Sequence, residues 1–248
     1  MRKKTEFVKS RHQLWQDTID QSRKDPRWHD YDCDIKRIVR EFNQHLSGQG
    51  GYRPFDWRLI KAMIWTESGG AGQSLVETQP YADRKSGRPW FARPAIRRRR
   101  GKFDSPPELA KTLTESNARS TPQMNIRAGT AYLLMRLARF NTVSVIEVLD
   151  SVHTIEVRRG DTLSKIARTN GTTVETLKAL NREAVALSPG MMLKFKKAAM
   201  RKMIAGWDQV TTSRIAQRYN VGDPGYAGKL NYCLAVMKNQ SEVAPCAA

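Results

Sequence analysis

Residues 153–195 read HTIEVRRGDTLSKIARTNGTTVETLKALNREAVALSPGMMLKF and alternate between strand-like and helix-like patterns. The first strand ends at Val157, and the turn at Gly160 is followed by Asp161 or Thr162 as the cap of a helix. Two short helices are predicted by apolar residues at helical spacing: Leu163, Ile166 and Ala167, then Val174, Leu177 and Leu180. A turn at 189–190 and an alternating strand over 192–196 complete a predicted strand–helix–helix–strand unit.

This pattern resembles a LysM module, the small carbohydrate-binding repeat that recognises N-acetylglucosamine chains in peptidoglycan or chitin. The resemblance spans residues 153–195 and fixes the expected substrate class before any catalytic residue is considered. It implies that the turn residues bind the glycan: Gly160, Asp161, Thr162, Leu163, Leu187, Pro189 and Gly190. The alternative is a small α+β domain that binds no ligand.

The composition points to a polyanionic partner. The chain has 248 residues and a formal net charge of +19, with 40% hydrophobic and 27% charged residues, which is ordinary for a globular protein. Nucleic acid and peptidoglycan with its attached polymers are both polyanionic, so charge alone does not choose between them. No helix-turn-helix, zinc or RNA-binding aromatic pattern is present, so a nucleic acid is not the expected partner.

Targeting and metal patterns are also missing from the sequence. No apolar run is long enough to predict a membrane span, and the basic N-terminus has no apolar core typical of a Sec signal peptide. The three cysteines and four histidines have no metal-ligand spacing, so no metal and no cofactor is expected. Free buried thiols are the favoured state of the cysteines, and a Cys33–Cys233 disulfide formed after export is the alternative.

A candidate acid lies at the end of a predicted helix. Residues 56–70 read DWRLIKAMIWTESGG, with Asp56 as the N-cap and two glycines at the stop. One face of this helix carries Ile60, Met63, Ile64 and Glu67. We expect the Glu67 carboxyl to be partly desolvated, which raises its pKa towards the range that a general acid needs. The alternative is a surface glutamate on a slightly over-rotated helix.

Three segments resemble the catalytic core of soluble lytic transglycosylases, and they follow one another in the order of that family. They are IKAMIWTESGG at 60–70, MNIRAGTAYLLMRLARF at 124–140 and IAQRYNVGDPGYAGKLNYCLAVM at 215–237. The resemblance implies that Glu67 is catalytic and that Ser68, Tyr132, Tyr219 and Asn220 bind substrate, with the Tyr219 hydroxyl near the catalytic carboxyl. The helices also carry apolar stripes: Ile126, Leu133, Leu137 and Phe140, then Tyr226, Leu230, Cys233 and Met237.

The two resemblances together predict an α+β fold, in which a mainly α lysozyme-like catalytic domain is interrupted by a small βααβ LysM domain. The predicted boundaries are a basic helical extension at 1–30, the first part of the core at 31–150, LysM at 151–198, the second part of the core at 199–240 and a tail at 241–248. Insertion at an exposed loop is tolerated when the ends of the inserted module lie close together.

Residues 73–104 do not fit the catalytic family, which has a Gly-Leu-Met-Gln-type loop soon after its Glu-Ser. They carry nine Arg or Lys, three acidic residues and a run of four arginines. A back-translation of residues 78–90 with chosen codons, read one base later, gives RNPMQIGNPGDPG, which contains a Pro-Met-Gln-Ile-Gly element. We therefore favour the hypothesis of a compensated frameshift that impairs activity. The alternatives are a disordered basic loop and an arginine-rich nucleic-acid patch.

The predicted reaction is cleavage of the bond between N-acetylmuramic acid and N-acetylglucosamine, with a 1,6-anhydro product. Ordinary glycosidases use two carboxyl groups, and the acidic residues soon after Glu67 lie in the anomalous segment. A muramidase and a non-catalytic cell-wall-binding protein are the alternatives. We expect the protein to act at the bacterial cell wall, either in the periplasm or in the periplasm of a target cell. The expected partners are glycan strands, together with phage proteins or those of a secretion machine such as a type VI system.

Overall fold

The structure is a computed structural model that describes residues 9–68, 106, 112–184, 186–238 and 246. Its helices are α1 (Arg11–Ser22), α2 (Asp32–Leu46), α3 (Arg58–Ser68), α4 (Glu115–Ser120), α5 (Pro122–Leu137), α6 (Leu163–Thr169), α7 (Val174–Leu180), α8 (Thr212–Arg218) and α9 (Tyr226–Lys238), with a 3-10 turn at Pro26–His29. Its strands are β1 (Ala138–Ile146), β2 (His153–Glu156), β3 (Met192–Phe195) and β4 (Ala198–Trp207).

The chain divides into two compact units, and the second is inserted into the first. The chain leaves the first unit after Arg139 and returns to it at Gly206, so the second unit comprises residues 140–205 of the described chain. This range is wider than the predicted module at 151–198, because it includes most of the paired strands β1 and β4. The anomalous segment 73–104 lies outside the described residues.

Helix α3 forms the centre of the first unit. All eight residues from Leu59 to Thr66 are buried, because α2 and α9 pack against this helix. The sequence predicts a single apolar face, but the structure buries the helix on every side, including Lys61. Asp56 lies before the helix, and its Oδ1 accepts a hydrogen bond from the Arg58 backbone at 2.7 Å.

The other helices of the first unit complete the same core. The predicted stripe of α9, Tyr226, Leu230, Cys233 and Met237, is buried as expected. Helix α1 contacts α9 and contributes the fully buried Ile19, so part of the segment predicted as an N-terminal extension packs into this core. The stripe predicted on α5 is wrong at Phe140, because the backbone becomes extended at Ala138 and Phe140 lies in β1.

A buried ion pair connects α2 to α3. The Lys61 ammonium lies 2.6 Å from Asp32 Oδ1, and both side chains are less than 5% exposed. His29 Nδ1 lies 2.8 Å from the other Asp32 oxygen. Desolvation by burial lowers the pKa of Lys61, although its hydrogen bond to Asp32 opposes this shift. Local sequence patterns do not indicate this ion pair, because its two charges lie 29 positions apart.

The cysteines follow neither expectation in full. Cys33 forms a disulfide with Cys246 rather than with Cys233. Cys233 is a free thiol in the core and accepts a hydrogen bond from the Thr66 hydroxyl at 3.6 Å. Since Cys33 is exposed on α2 and Cys233 is fully buried on α9, their positions in the fold do not favour this pair. The expectation of free buried thiols holds for Cys233 alone.

The second unit contains the predicted βααβ arrangement. Strands β2 and β3 pair antiparallel, with His153 opposite Phe195 and Glu156 opposite Met192. Thr162 caps α6 and Thr173 caps α7, each accepting a backbone hydrogen bond through its hydroxyl. A small core lies between the helices and the sheet: Val157, Ile166, Ala167, Leu177 and Leu193. In the part of the chain that the structure describes, no helix is both long and apolar enough to cross a bilayer.

Candidate functional sites

The first candidate site is formed where α3 ends. Glu67 is half-buried one residue before the end of this helix, and the Asn220 amide nitrogen lies 3.5 Å from its Oε1. Since 153 residues separate the two side chains, this contact depends on tertiary packing. Helices α3, α8 and α9 position the pair, because α8 ends at Arg218, two residues before Asn220.

Packed aromatic rings hold the backbone next to Asn220 in place. Tyr219 is 3% exposed, and its ring packs edge-on against Tyr132 of α5, with the centroids 5.4 Å apart. Tyr226 of α9 packs against the same ring at 6.1 Å. Burial of these three rings fixes the backbone next to Asn220 and therefore limits where its amide can point. Tyr132 and Tyr219, both predicted to bind substrate, are core residues of the first unit.

A polar network also restrains the segment before Asn220. Arg218 Nε donates to Asp208 at 2.9 Å, and Arg136 Nε donates to the backbone oxygen of Arg218. Ser68, predicted as a substrate-binding residue, donates to the backbone oxygen of Trp65 at 3.4 Å. The next residues, Gly69 and Gly70, lie outside the described part of the chain. The described surroundings of Glu67 therefore include the amide of Asn220, which can donate to a carboxylate.

The second candidate site is formed by two turns of the inserted unit. The turn at 158–163 is closed by Asp161, whose carboxylate accepts from the Arg158 backbone at 2.9 Å. The turn at 187–190 is joined to Val157, since Gly190 donates to the Val157 carbonyl and Val157 donates to the Met191 carbonyl, both at 2.8 Å. These bonds hold the two turns side by side, so the structure brings together the residues predicted to bind glycan.

The backbone of these turns needs glycine and carries exposed polar groups. Gly160 and Gly190 have φ of +80° and +87°, a region that disfavours a side chain. Thr162 and Pro189 are exposed, and Leu163 and Leu187 are half-buried against the small core. Hydrogen bonds from the Arg158 backbone and then from Lys165 lower the pKa of Asp161. This arrangement offers apolar surface and hydrogen-bonding groups along one edge, which suits a sugar chain.

Comparison with known proteins identifies the inserted unit. Residues 155–196 match the model of the LysM domain, so they form a peptidoglycan-binding module and associate the chain with the cell wall. Comparisons with curated proteins and with solved structures give no match. Among the described residues, no group of three or more histidine, cysteine or acidic side chains is placed to hold a metal ion.

Proposed function

We propose that the chain is a lytic transglycosylase that cleaves peptidoglycan glycan strands, with Glu67 as its acid and base. One observation carries the proposal: the Asn220 amide meets the Glu67 carboxylate at 3.5 Å, directly after the buried stretch Leu59–Thr66 of α3. These two residues come from separate segments that resemble this enzyme class. The LysM domain supplies a glycan-binding module within the same chain.

In the proposed reaction, Glu67 transfers its proton to the glycosidic oxygen as the bond to C1 of N-acetylmuramic acid breaks. The ionised Glu67 then takes the proton of the 6-hydroxyl of the same sugar, whose oxygen bonds to C1. The proton returns to Glu67, no water is consumed, and the product is a 1,6-anhydro sugar. One carboxyl group suffices because the substrate supplies the nucleophile, in contrast to the two carboxyl groups of ordinary glycosidases.

The amide of Asn220 has a defined part in this proposal. Its nitrogen donates towards the carboxylate, so it orients the group and stabilises its ionised form after the first proton transfer. The packing of Tyr219 between Tyr132 and Tyr226 keeps this amide in position. We therefore assign Tyr132 and Tyr219 a positioning role for Asn220, in addition to the contact with substrate that the sequence predicts.

The insertion supports the same proposal through effective concentration. A strand held by the module cannot diffuse away from the chain, so its next binding event at Glu67 becomes intramolecular. A non-catalytic wall-binding protein is the second candidate function, because the family match covers residues 155–196 and includes neither Glu67 nor Asn220. Release of soluble fragments from a purified wall separates an enzyme from such a binding protein.

The test compares Glu67→Gln with the unchanged chain on purified sacculi, followed as loss of turbidity and release of soluble fragments. Glu67→Gln keeps the shape of the side chain but cannot transfer a proton, so we expect a loss of about 100-fold or more. Glu183→Gln, at an exposed residue of the module, is the matched control and should retain full activity. Equal fragment release by Glu67→Gln and the control would overturn the assignment.

A further inference from the structure

The first unit contains a cavity of about 810 Å³ at the beginning of α3. It lies beside Asp56 and Leu59, whereas Glu67 lies at the other end of the same helix. The eight residue-to-residue steps from Leu59 to Glu67 span about 12 Å along the axis at the usual helical rise. The cavity is therefore separate from the site at Glu67, and neither resemblance in the sequence indicated it.

The floor of the cavity is hydrocarbon. It is lined by aliphatic side chains from three helices and the segment before α8: Leu59, Leu134, Leu137, Val210 and Leu234. Three of them are at most 8% exposed, and Val210 and Leu234 form a half-buried wall. A sugar in this space would lose hydrogen bonds from its hydroxyl groups to water without regaining them. The lining therefore favours an alkyl chain over a glycan.

The aromatic side of the cavity is fixed before any ligand binds. Tyr52 packs edge-on against Trp207 at 5.0 Å, and its hydroxyl donates to Asn43 Oδ1 at 2.6 Å. The amide of Asn43 also donates to the Phe55 carbonyl at 3.0 Å. Burial raises the pKa of Tyr52, so this hydroxyl stays protonated at neutral pH. One asparagine of α2 thus holds both ends of the loop that forms this side.

The rim of the cavity carries unbalanced positive charge. Asp208 is paired with Arg218 at 2.9 Å, and Asp56 is paired with Arg58 at 3.2 Å. Arg53 and Lys238 also line the cavity, are exposed and have no ion pair within the described part of the chain. Two cations that form no ion pair with a described residue, next to a hydrocarbon floor, make a site that is complementary to an alkyl chain with an anionic head.

We propose that this cavity binds an amphipathic anion, with its alkyl chain against the leucine floor and its carboxylate or phosphate between Arg53 and Lys238. Such a ligand occurs either as a free single-chain amphiphile or as an anionic lipid in a bilayer, and both share this chemistry. The site is independent of the proposed glycan cleavage, so it requires no activity at Glu67.

Calorimetric titration of the full chain tests the proposal with dodecanoate below its micelle concentration. Dodecyl maltoside and dodecyltrimethylammonium provide the same chain with a neutral and a cationic head. We expect dodecanoate to bind most tightly, by about tenfold or more.

Leu234→Trp and Val210→Trp should each abolish binding by filling the cavity, and the thermal unfolding midpoint identifies a variant that keeps its fold. Arg53→Glu with Lys238→Glu should weaken dodecanoate alone, and Lys178→Glu, on the module, is the control.

Cosedimentation with anionic phospholipid vesicles distinguishes the two sources of the ligand. Sedimentation that Leu234→Trp removes would assign the site to a bilayer lipid. Dodecanoate binding without sedimentation would assign it to a free amphiphile. Absence of dodecanoate binding, equal affinity for the three head groups, or affinity unchanged by both cavity-filling variants would each overturn the proposal.

Discussion

At the scale of single residues, the stability of the first unit depends on the pairing of the buried Lys61 charge. Lys61 is surrounded by Asp32, His29 and the ring of Trp28, whose centroid is 5.1 Å from the ammonium. A buried pair of this kind contributes little net stability, because desolvation offsets the attraction of the charges. Loss of one partner is costly, because the other charge then stays buried without compensation.

Asp32→Asn should therefore lower the free energy of unfolding by about 3–5 kcal/mol in urea denaturation. Replacing both partners, with Lys61→Met in the same chain, should cost clearly less than the sum of the single changes. The ion pair between Lys9 and Asp17 is the matched control. Its Nζ–Oδ2 distance is 2.6 Å, but its side chains are 55% and 40% exposed. Asp17→Asn should cost less than about 1 kcal/mol. A cost for Asp32→Asn as small as that of the control would contradict a buried, paired Lys61.

Cys233 gives the first unit a stability that decreases at alkaline pH. Burial raises the pKa of its thiol from 9.0 to about 11, so between these values the folded state keeps a proton that the unfolded state has released. Stability is full below the unfolded pKa and falls as the pH rises towards 11, by about 3 kcal/mol in total. Denaturation of Cys233→Ala at about pH 8 and pH 11 should show a smaller decrease than that of the unchanged chain. Equal decreases would exclude this thiol as the cause.

At the scale of elements, the LysM unit is held together by local contacts that can be predicted from the sequence. Thr162 and Thr173 cap the helices next to them, and the Asn181 amide donates to the Leu177 and Lys194 carbonyls at 2.8 and 2.7 Å. Caps and turns depend on neighbouring residues, so spacing alone predicts the βααβ order. Helix α3 is buried on all sides and α5 ends at Leu137 because of contacts with distant segments. The hydrophobic periodicity of the sequence therefore predicts neither feature.

The candidate sites differ in the same way in how far the sequence predicts them. The structure brings together the two glycan-binding turns predicted from the module pattern. The resemblance assigned Glu67 and Asn220 to one site but did not predict their contact, and nothing in local spacing links residues 153 positions apart. The cavity at the start of α3 was missed because its aliphatic lining is indistinguishable from ordinary core residues in the sequence.

The module alone should bind peptidoglycan. Residues 150–199 should pellet with purified sacculi, because the two turns form within this segment and it has its own core. Pro189→Glu adds a carboxylate at an exposed position of the site, so binding should weaken about tenfold or more. Glu183→Gln, an exposed change elsewhere on the module, is the control. Binding that disappears at moderate salt would indicate charge attraction without glycan recognition.

At the scale of the whole molecule, the chain connects a wall-binding module and a candidate catalytic helix within one polypeptide. The first unit is closed by residues from both sides of the insertion, since α9 packs on α3 and α1 packs on α9. The disulfide from Cys33 to Cys246 adds a covalent link across 213 residues. A link across such a separation constrains the unfolded chain and so favours the folded one.

Thiol counting tests this link directly. The oxidised chain in denaturant should react with a thiol reagent at one cysteine, Cys233, and at three after reduction. In the folded chain, Cys233 should react slowly, because it is buried and its pKa is raised to about 11. Reduction should also lower the thermal unfolding midpoint. Three reactive thiols before reduction would show that the pair does not form.

Mass analysis of the fragments released from purified sacculi tests most directly whether the chain cleaves glycan strands through Glu67. The unchanged chain is compared with a version that carries the re-read Pro-Met-Gln-Ile-Gly loop, and each is paired with its Glu67→Gln variant. We predict fragments with 1,6-anhydro ends, more from the re-read version than from the unchanged chain, and their loss in both Glu67→Gln variants. Absence of fragments from both versions, new reducing ends, or release that persists in Glu67→Gln would exclude a transglycosylase that acts through Glu67.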